Sequence, residues 1–294
     1  MTLTQGQPFS MVGMTTKTEQ FTVRHDGVTI PVTRGGEGRP LVLCPGLTST
    51  QAELHELVEL LRRAFEVFTF DLRGHGYSSP ADQYAFDAFL GDFGAVMAAV
   101  GRLGLPTAPL LAGHSYGADL ILHYASEYPD TVSGLILIDG ANPLPAPFIT
   151  QADLPEFRAL WEYVVTQQET IKGTPSQVLL NAQQILDLNL ELDVIRSGID
   201  LEIDVVGAGI LNLYRKIDCP IHLIMATAMA GDSGEGRAPR HNRLWRAGME
   251  RLVRERPDIT TSLLDATHGL VVTHAPDIAR IIRSAHTAAE QATS

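Results

Sequence analysis

From about residue 20 to the end of the chain, short apolar runs alternate with segments of helical periodicity. "PLVLCPG" (40–46), "FEVFTF" (65–70), "APLLAGH" (108–114), "SGLILIDG" (133–140), "CPIHLIMA" (219–226) and "ITTSLLDA" (259–266) are too short for helices and show no alternation of apolar with polar residues. Runs of this kind are strands buried on both faces, which is the signature of a mostly parallel sheet covered by helices. The covering helices are read from apolar spacing at 50–64, 84–104, 117–129, 240–256 and 276–290. "FTVRHDG" and "VTIPVTRGG" add an antiparallel hairpin turned at Asp26-Gly27. The expected fold is therefore α/β, with an eight-stranded sheet and helices on both faces.

The beat stops between residues 141 and 216. "LPEFRALWEYVVTQQ" and "SQVLLNAQQILDLN" are helical, with no core strand between them. Residues 141–216 are read as a helical cap inserted into a core formed by 19–140 and 217–294, and residues 1–18 as a polar tail.

Composition narrows the function classes. A formal charge of −12 over 294 residues disfavours a nucleic-acid partner, which needs clustered Lys and Arg. No stretch approaches 18 consecutive apolar residues, and the first residues lack the basic and apolar regions of a secretory leader. The expectation is a cytoplasmic monomer or homodimer acting on a small molecule away from membranes. Cys44 and Cys219 are too few for a disulfide framework and show no metal-ligand spacing, so no metal is expected.

Chemistry concentrates at Gly113-His114-Ser115-Tyr116-Gly117, between the strand "APLLAGH" and the helix "GADLILHYA". The pattern alone is weak, and a helix N-cap serine would satisfy it. Its position is what carries weight, because ligands of parallel sheets gather at the carboxyl ends of the strands. A sharp strand-to-helix turn there needs small residues two positions either side of Ser115 and lifts the hydroxyl into the open. A serine hydroxyl needs a base. His268, following the last strand in "LLDATHGL", is the candidate, since His274 lies too near the last helix. A histidine base needs an orienting acid. Asp232, after the penultimate strand, is the candidate.

With these motifs in this order, the chain resembles the α/β-hydrolase superfamily, in its group with a helical cap after the sixth strand. "FDLRGHGYS" (70–78) is similar to that family's D-x-R-G-x-G-x-S turn. The resemblance implies Ser115 as nucleophile, His268 as general base, and an oxyanion hole of the Leu47 and Tyr116 backbone amides. Pro45-Gly46 stands where the family usually carries His-Gly, and the loop bearing Asp232 is longer than usual. Asp232 stays the first expectation, the resemblance implies Asp139 after the sixth strand as the alternative acid, and Glu235 is more distant. The resemblance further implies a cofactor-independent hydrolase of carboxylic esters, lactones or thioesters. The Tyr116 ring, next to Ser115 in the chain, and Trp161, an aromatic of the inserted segment, are candidate substrate contacts. Amide or C–C bond cleavage by the same residues, or a receptor that binds ligand with little turnover, are the alternatives.

Overall fold

The computed structural model describes residues 18–200, 205–206 and 209–293. Residues 1–17, which hold all but one residue of the expected tail, lie outside them.

Strands β1 (Glu19–His25) and β2 (Val28–Gly35) form the hairpin, with Asp26 and Gly27 both at positive φ in its turn. β3 (Arg39–Cys44), α1 (His55–Leu61), β4 (Phe65–Phe70), α2 (Phe86–Gly101), β5 (Leu110–His114), α3 (Tyr116–Glu127) and β6 (Gly134–Ile138) follow. The chain then forms α4 (Leu154–Gln168), α5 (Ala182–Ser197), a ribbon of β7 (Ile199–Asp200) and β8 (Val205–Val206), and α6 (Leu211–Tyr214). It returns through β9 (Ile221–Ala226), α7 (Ala238–Glu255), β10 (Thr260–Leu264), α8 (Leu270–Thr273) and α9 (Ala275–Thr293). The eight-stranded sheet has the order β1-β2-β4-β3-β5-β6-β9-β10. β2 is antiparallel to β1 and β4, and every pairing from β4 to β10 is parallel.

The central strands are apolar throughout because alternate residues enter opposite cores. Val42 and Cys44 of β3, Leu111 of β5, and Leu135 and Leu137 of β6 face the layer that holds α2, α3 and α7. Leu41, Leu43, Ala112, Ile136 and Ile138 face the layer of α1, α8 and α9. α7 buries Ala238, His241, Trp245, Gly248 and Leu252, one residue per turn at helical spacing, which seats a single stripe against the sheet.

Between β6 and β9, where the cap is expected, α5 lies on the core and α4 lies outside it. α5 begins with a capping box, in which Asn181 Oδ1 accepts from Gln184 N and Gln184 Oε1 accepts from Asn181 N. It ends at Gly198 in the left-handed region, φ 70°. Ile185, Leu188 and Leu192 of α5 join the main core, whereas α4 buries only Phe157. Among the described residues no helix is long and apolar enough to cross a membrane.

Candidate active site

β3, β5, β6 and β9 end side by side, so the turns that follow them meet at one edge of the sheet. Ser115 occupies the turn from β5 into α3 with φ 53° and ψ −119°, a strained conformation for a residue with a side chain. The glycines explain how it is tolerated. A Cβ on Gly113 would stand 2.5 Å from the Gly117 carbonyl oxygen, and one on Gly117 would collide with the backbone carbonyls of Pro45 and Cys44. The elbow is thus wedged against the loop after β3, and Ser115 N–H is tied to the Ile138 carbonyl at 2.9 Å.

The Ser115 hydroxyl donates to His268 Nε2 at 2.8 Å, and His268 Nδ1–H donates to Asp139 Oδ2 at 2.6 Å. Asp139 is fully buried. Burial alone would raise its pKa. The His268 hydrogen bond and charge, with donors from Ala226 N at 3.0 Å and Trp245 Nε1 at 2.7 Å, outweigh that and hold the carboxyl below its ordinary value. His268 is fixed through its own backbone, its N–H donating to Met229 O at 3.1 Å and its carbonyl accepting from His114 Nε2 at 3.0 Å. Burial, then the neighbouring His268, push His114 down to about 3, so its ring stays neutral and donates through Nε2 to the His268 carbonyl.

The acid expected first is therefore corrected. Asp232 lies exposed in the loop after β9 and makes no hydrogen bond to His268. The sheet itself decides this. β6 and β9 are neighbours, and Asp139 N–H donates to Ile224 O at 2.8 Å, which aims the turn after β6 at the His268 ring. Glu235 is likewise exposed in the β9 loop.

The Leu47 and Tyr116 amides border the same cavity as Ser115. Among the described residues neither amide has a hydrogen-bond partner. Gly46 lets the loop approach, since a Cβ there would be 3.2 Å from Ser115 Cβ. The next residue, Thr48, has φ 66°, and its N–H donates to His75 Nε2 at 3.1 Å. His75 is buried and donates through Nδ1 to the Arg73 carbonyl at 2.8 Å, so the "RGHG" turn braces the loop. Asp71 braces it from the other side, accepting from Gln51 N at 2.8 Å and Tyr77 N at 3.1 Å.

The cavity encloses about 430 Å³. Its walls are mostly apolar, with Leu144, Phe148, Ile149, Phe157, Leu160, Trp161, Leu192 and Met229 around Ser115 and His268. Trp161 stands in that wall. The Tyr116 side chain does not behave as expected. Its ring is 1% exposed and packs edge-on to Phe86 at 5.6 Å and Phe89 at 5.3 Å, because α3 and α2 bury that face. Both cysteines are free, and among the described residues no three His, Cys, Asp or Glu are grouped to hold a metal.

Trp245, Arg196 and Asp119 were not anticipated. Trp245 reads as one more core residue of the α7 stripe. The trace Asp119 leaves in the sequence is a lone acid in the apolar run "GADLILHY", and its counter-ion is Arg196, at 2.6 Å.

This geometry sits in a fold that comparisons with known proteins define. The sequence model of the alpha/beta hydrolase fold family matches residues 39–193, just over half of the chain, and the chain belongs to that family. N-formylmaleamate deformylase of Pseudomonas putida is 37% identical over 107 residues, covering 36% of this chain and 38% of that protein. The 2-(acetamidomethylene)succinate hydrolase of Mesorhizobium japonicum is 30% identical over 113 residues, covering 38% and 39%. The chain thus spans about two fifths of the length of these curated relatives. The crystal structure of the enol-lactonase from Burkholderia xenovorans superposes with a TM-score of 0.65 at 17% identity, over 92% of this chain and 100% of that one.

Proposed function

We propose that the chain is a serine hydrolase that cleaves a carboxylic ester, lactone or thioester through an acyl-enzyme on Ser115, with His268 as general base and acid and Asp139 as the orienting acid. The observation that carries this reading is the continuous hydrogen-bonded row Ser115 Oγ–His268 Nε2 and His268 Nδ1–Asp139 Oδ2, opening on a cavity beside two unpartnered amides.

His268 Nε2 takes the Ser115 proton as Oγ attacks the acyl carbon. The oxyanion accepts from the Leu47 and Tyr116 amides, at the start of α3 where the helix dipole adds favourable potential. The protonated His268 is stabilised by ionised Asp139 and passes its proton to the leaving group. Water, deprotonated by the same nitrogen, releases the acid and regenerates Ser115. The mostly apolar walls suit an acyl or leaving group of small to medium size. The residues of this scheme call for no cofactor.

Amide cleavage is the second reading, because one curated relative is named a deformylase. The same residues serve it if His268 protonates a nitrogen leaving group. The test is turnover of p-nitrophenyl esters of two to eight acyl carbons beside matched anilides and N-formyl amides. The proposal expects ester turnover with a burst of p-nitrophenol, lost in Ser115→Ala. Anilide or formamide turnover exceeding that of esters would favour the second reading, and binding of these compounds with no turnover by folded protein would overturn both.

A further inference from the structure

Asp139 sits in a turn that is strained on both sides of Gly140, with φ 45° at Asp139 and 50° at Ala141. Such a turn persists only where its surroundings hold it. Two groups do so. The Trp245 indole, 3% exposed on α7, donates to Asp139 Oδ1, which leaves Oδ2 to His268. The Asp119 carboxylate, fully buried on α3, accepts from Ala141 N at 3.2 Å. Both groups touch one side chain. Arg196, near the end of α5, places its guanidinium carbon 5.2 Å from the centre of the Trp245 ring. It also grips Asp119 through Nη2 at 2.6 Å and through Nε at 3.1 Å and 3.2 Å.

We propose that Trp245 is a positioning residue for the reaction and that Arg196 makes it conditional on the inserted segment: the acid is aligned only while α5 is seated on the core. The inference rests on the triad reading above. A carboxylate torsion is broad and two-fold, so Asp139 needs a donor on Oδ1 to keep Oδ2 in the His268 plane. The Ala226 amide shares Oδ1 but belongs to the sheet edge, whereas Trp245 and Arg196 report whether the segment is in place. The Arg196 charge is largely cancelled by Asp119, so its contribution is geometric, a planar fork stacked on an aromatic face that lysine does not reproduce.

The test uses p-nitrophenyl butyrate with Trp245→Phe, which keeps an aromatic ring in place and removes the N–H, and with the double variant Arg196→Met/Asp119→Asn, which removes the ion pair without leaving a buried charge. Thermal melts confirm that each is folded. Loss of one charge-assisted hydrogen bond predicts a fall in kcat of about tenfold or more for Trp245→Phe, with KM within about twofold. In an Asp139→Asn background the same substitution should cost less than about twofold, because contacting residues are not additive when one acts through the other. The double variant should lower kcat, and adding Trp245→Phe to it should cost less than in the wild type. Unchanged kcat in Trp245→Phe, or an equal loss with Asp139 already replaced, would overturn the proposal. Failure of the triad reading is separately visible, as undiminished turnover by Ser115→Ala.

Discussion

His75 is fully buried, edge-on to Phe89 at 6.5 Å, and braces the loop that carries Leu47. Burial, opposed by its hydrogen bond to the Arg73 carbonyl, pushes its pKa from 6.5 down to about 4. Above about pH 6.5 the ring is neutral in both folded and unfolded chains, and its contribution to stability is fully present. Below that value the unfolded chain takes up a proton that the folded chain refuses until about pH 4, so stability is lost on acidification. Between pH 7.5 and 5.5 the loss is about 1 kcal/mol, the equivalent of nearly one pH unit. His114, buried and pushed down to about 3, adds a similar amount. The His75→Gln variant isolates one share, since glutamine can still offer Thr48 an acceptor but does not titrate. Urea unfolding at pH 7.5 and 5.5 should show the variant losing about 1 kcal/mol less than the wild type across that interval, whatever its absolute stability. Equal losses in the two proteins would refute the argument that His75 is held neutral by burial.

Three further substitutions separate the parts of the site. Asp139→Asn should lower kcat by about 10⁴-fold by favouring the wrong tautomer of His268, whereas Asp232→Asn should stay within about twofold, both measured by ester turnover. Gly117→Ala drives a methyl into the Pro45 and Cys44 carbonyls, and should cost about 1–3 kcal/mol in urea unfolding while slowing acylation through displacement of Leu47. Trp161→Ala opens the cavity wall and should shift the kcat/KM ratio of octanoyl over butyryl esters upward by about tenfold.

The sheet was legible because buried parallel strands leave an unmistakable local trace, and α4 coincides with "LPEFRALWEYVVTQQ" residue for residue. α1 is shorter than its periodicity, since residues 51–54 form turns in which the Glu53 and Leu54 amides return to the Thr50 carbonyl. Ser115 and His268 were legible because each follows a strand at the sheet edge where such residues meet. The acid was not. Asp139 and Asp232 follow adjacent strands, and which one meets His268 depends on a positive-φ turn and a cross-strand hydrogen bond that no short pattern encodes. Trp245 was hidden for another reason. Helical spacing reports that a side chain is buried, but not which polar group its indole N–H will find. The same holds for Tyr116, whose neighbourhood to Ser115 along the chain says nothing of the ring lodged between Phe86 and Phe89.

The most direct measurement of the central claim is reaction of the folded protein with a fluorophosphonate probe, with the adduct located by peptide mass spectrometry. The account predicts a single adduct on Ser115, absent in Ser115→Ala and formed at least about 10³-fold more slowly in His268→Ala, because nucleophile and base act as a unit. No adduct on Ser115, or labelling there at the same rate without His268, would contradict it.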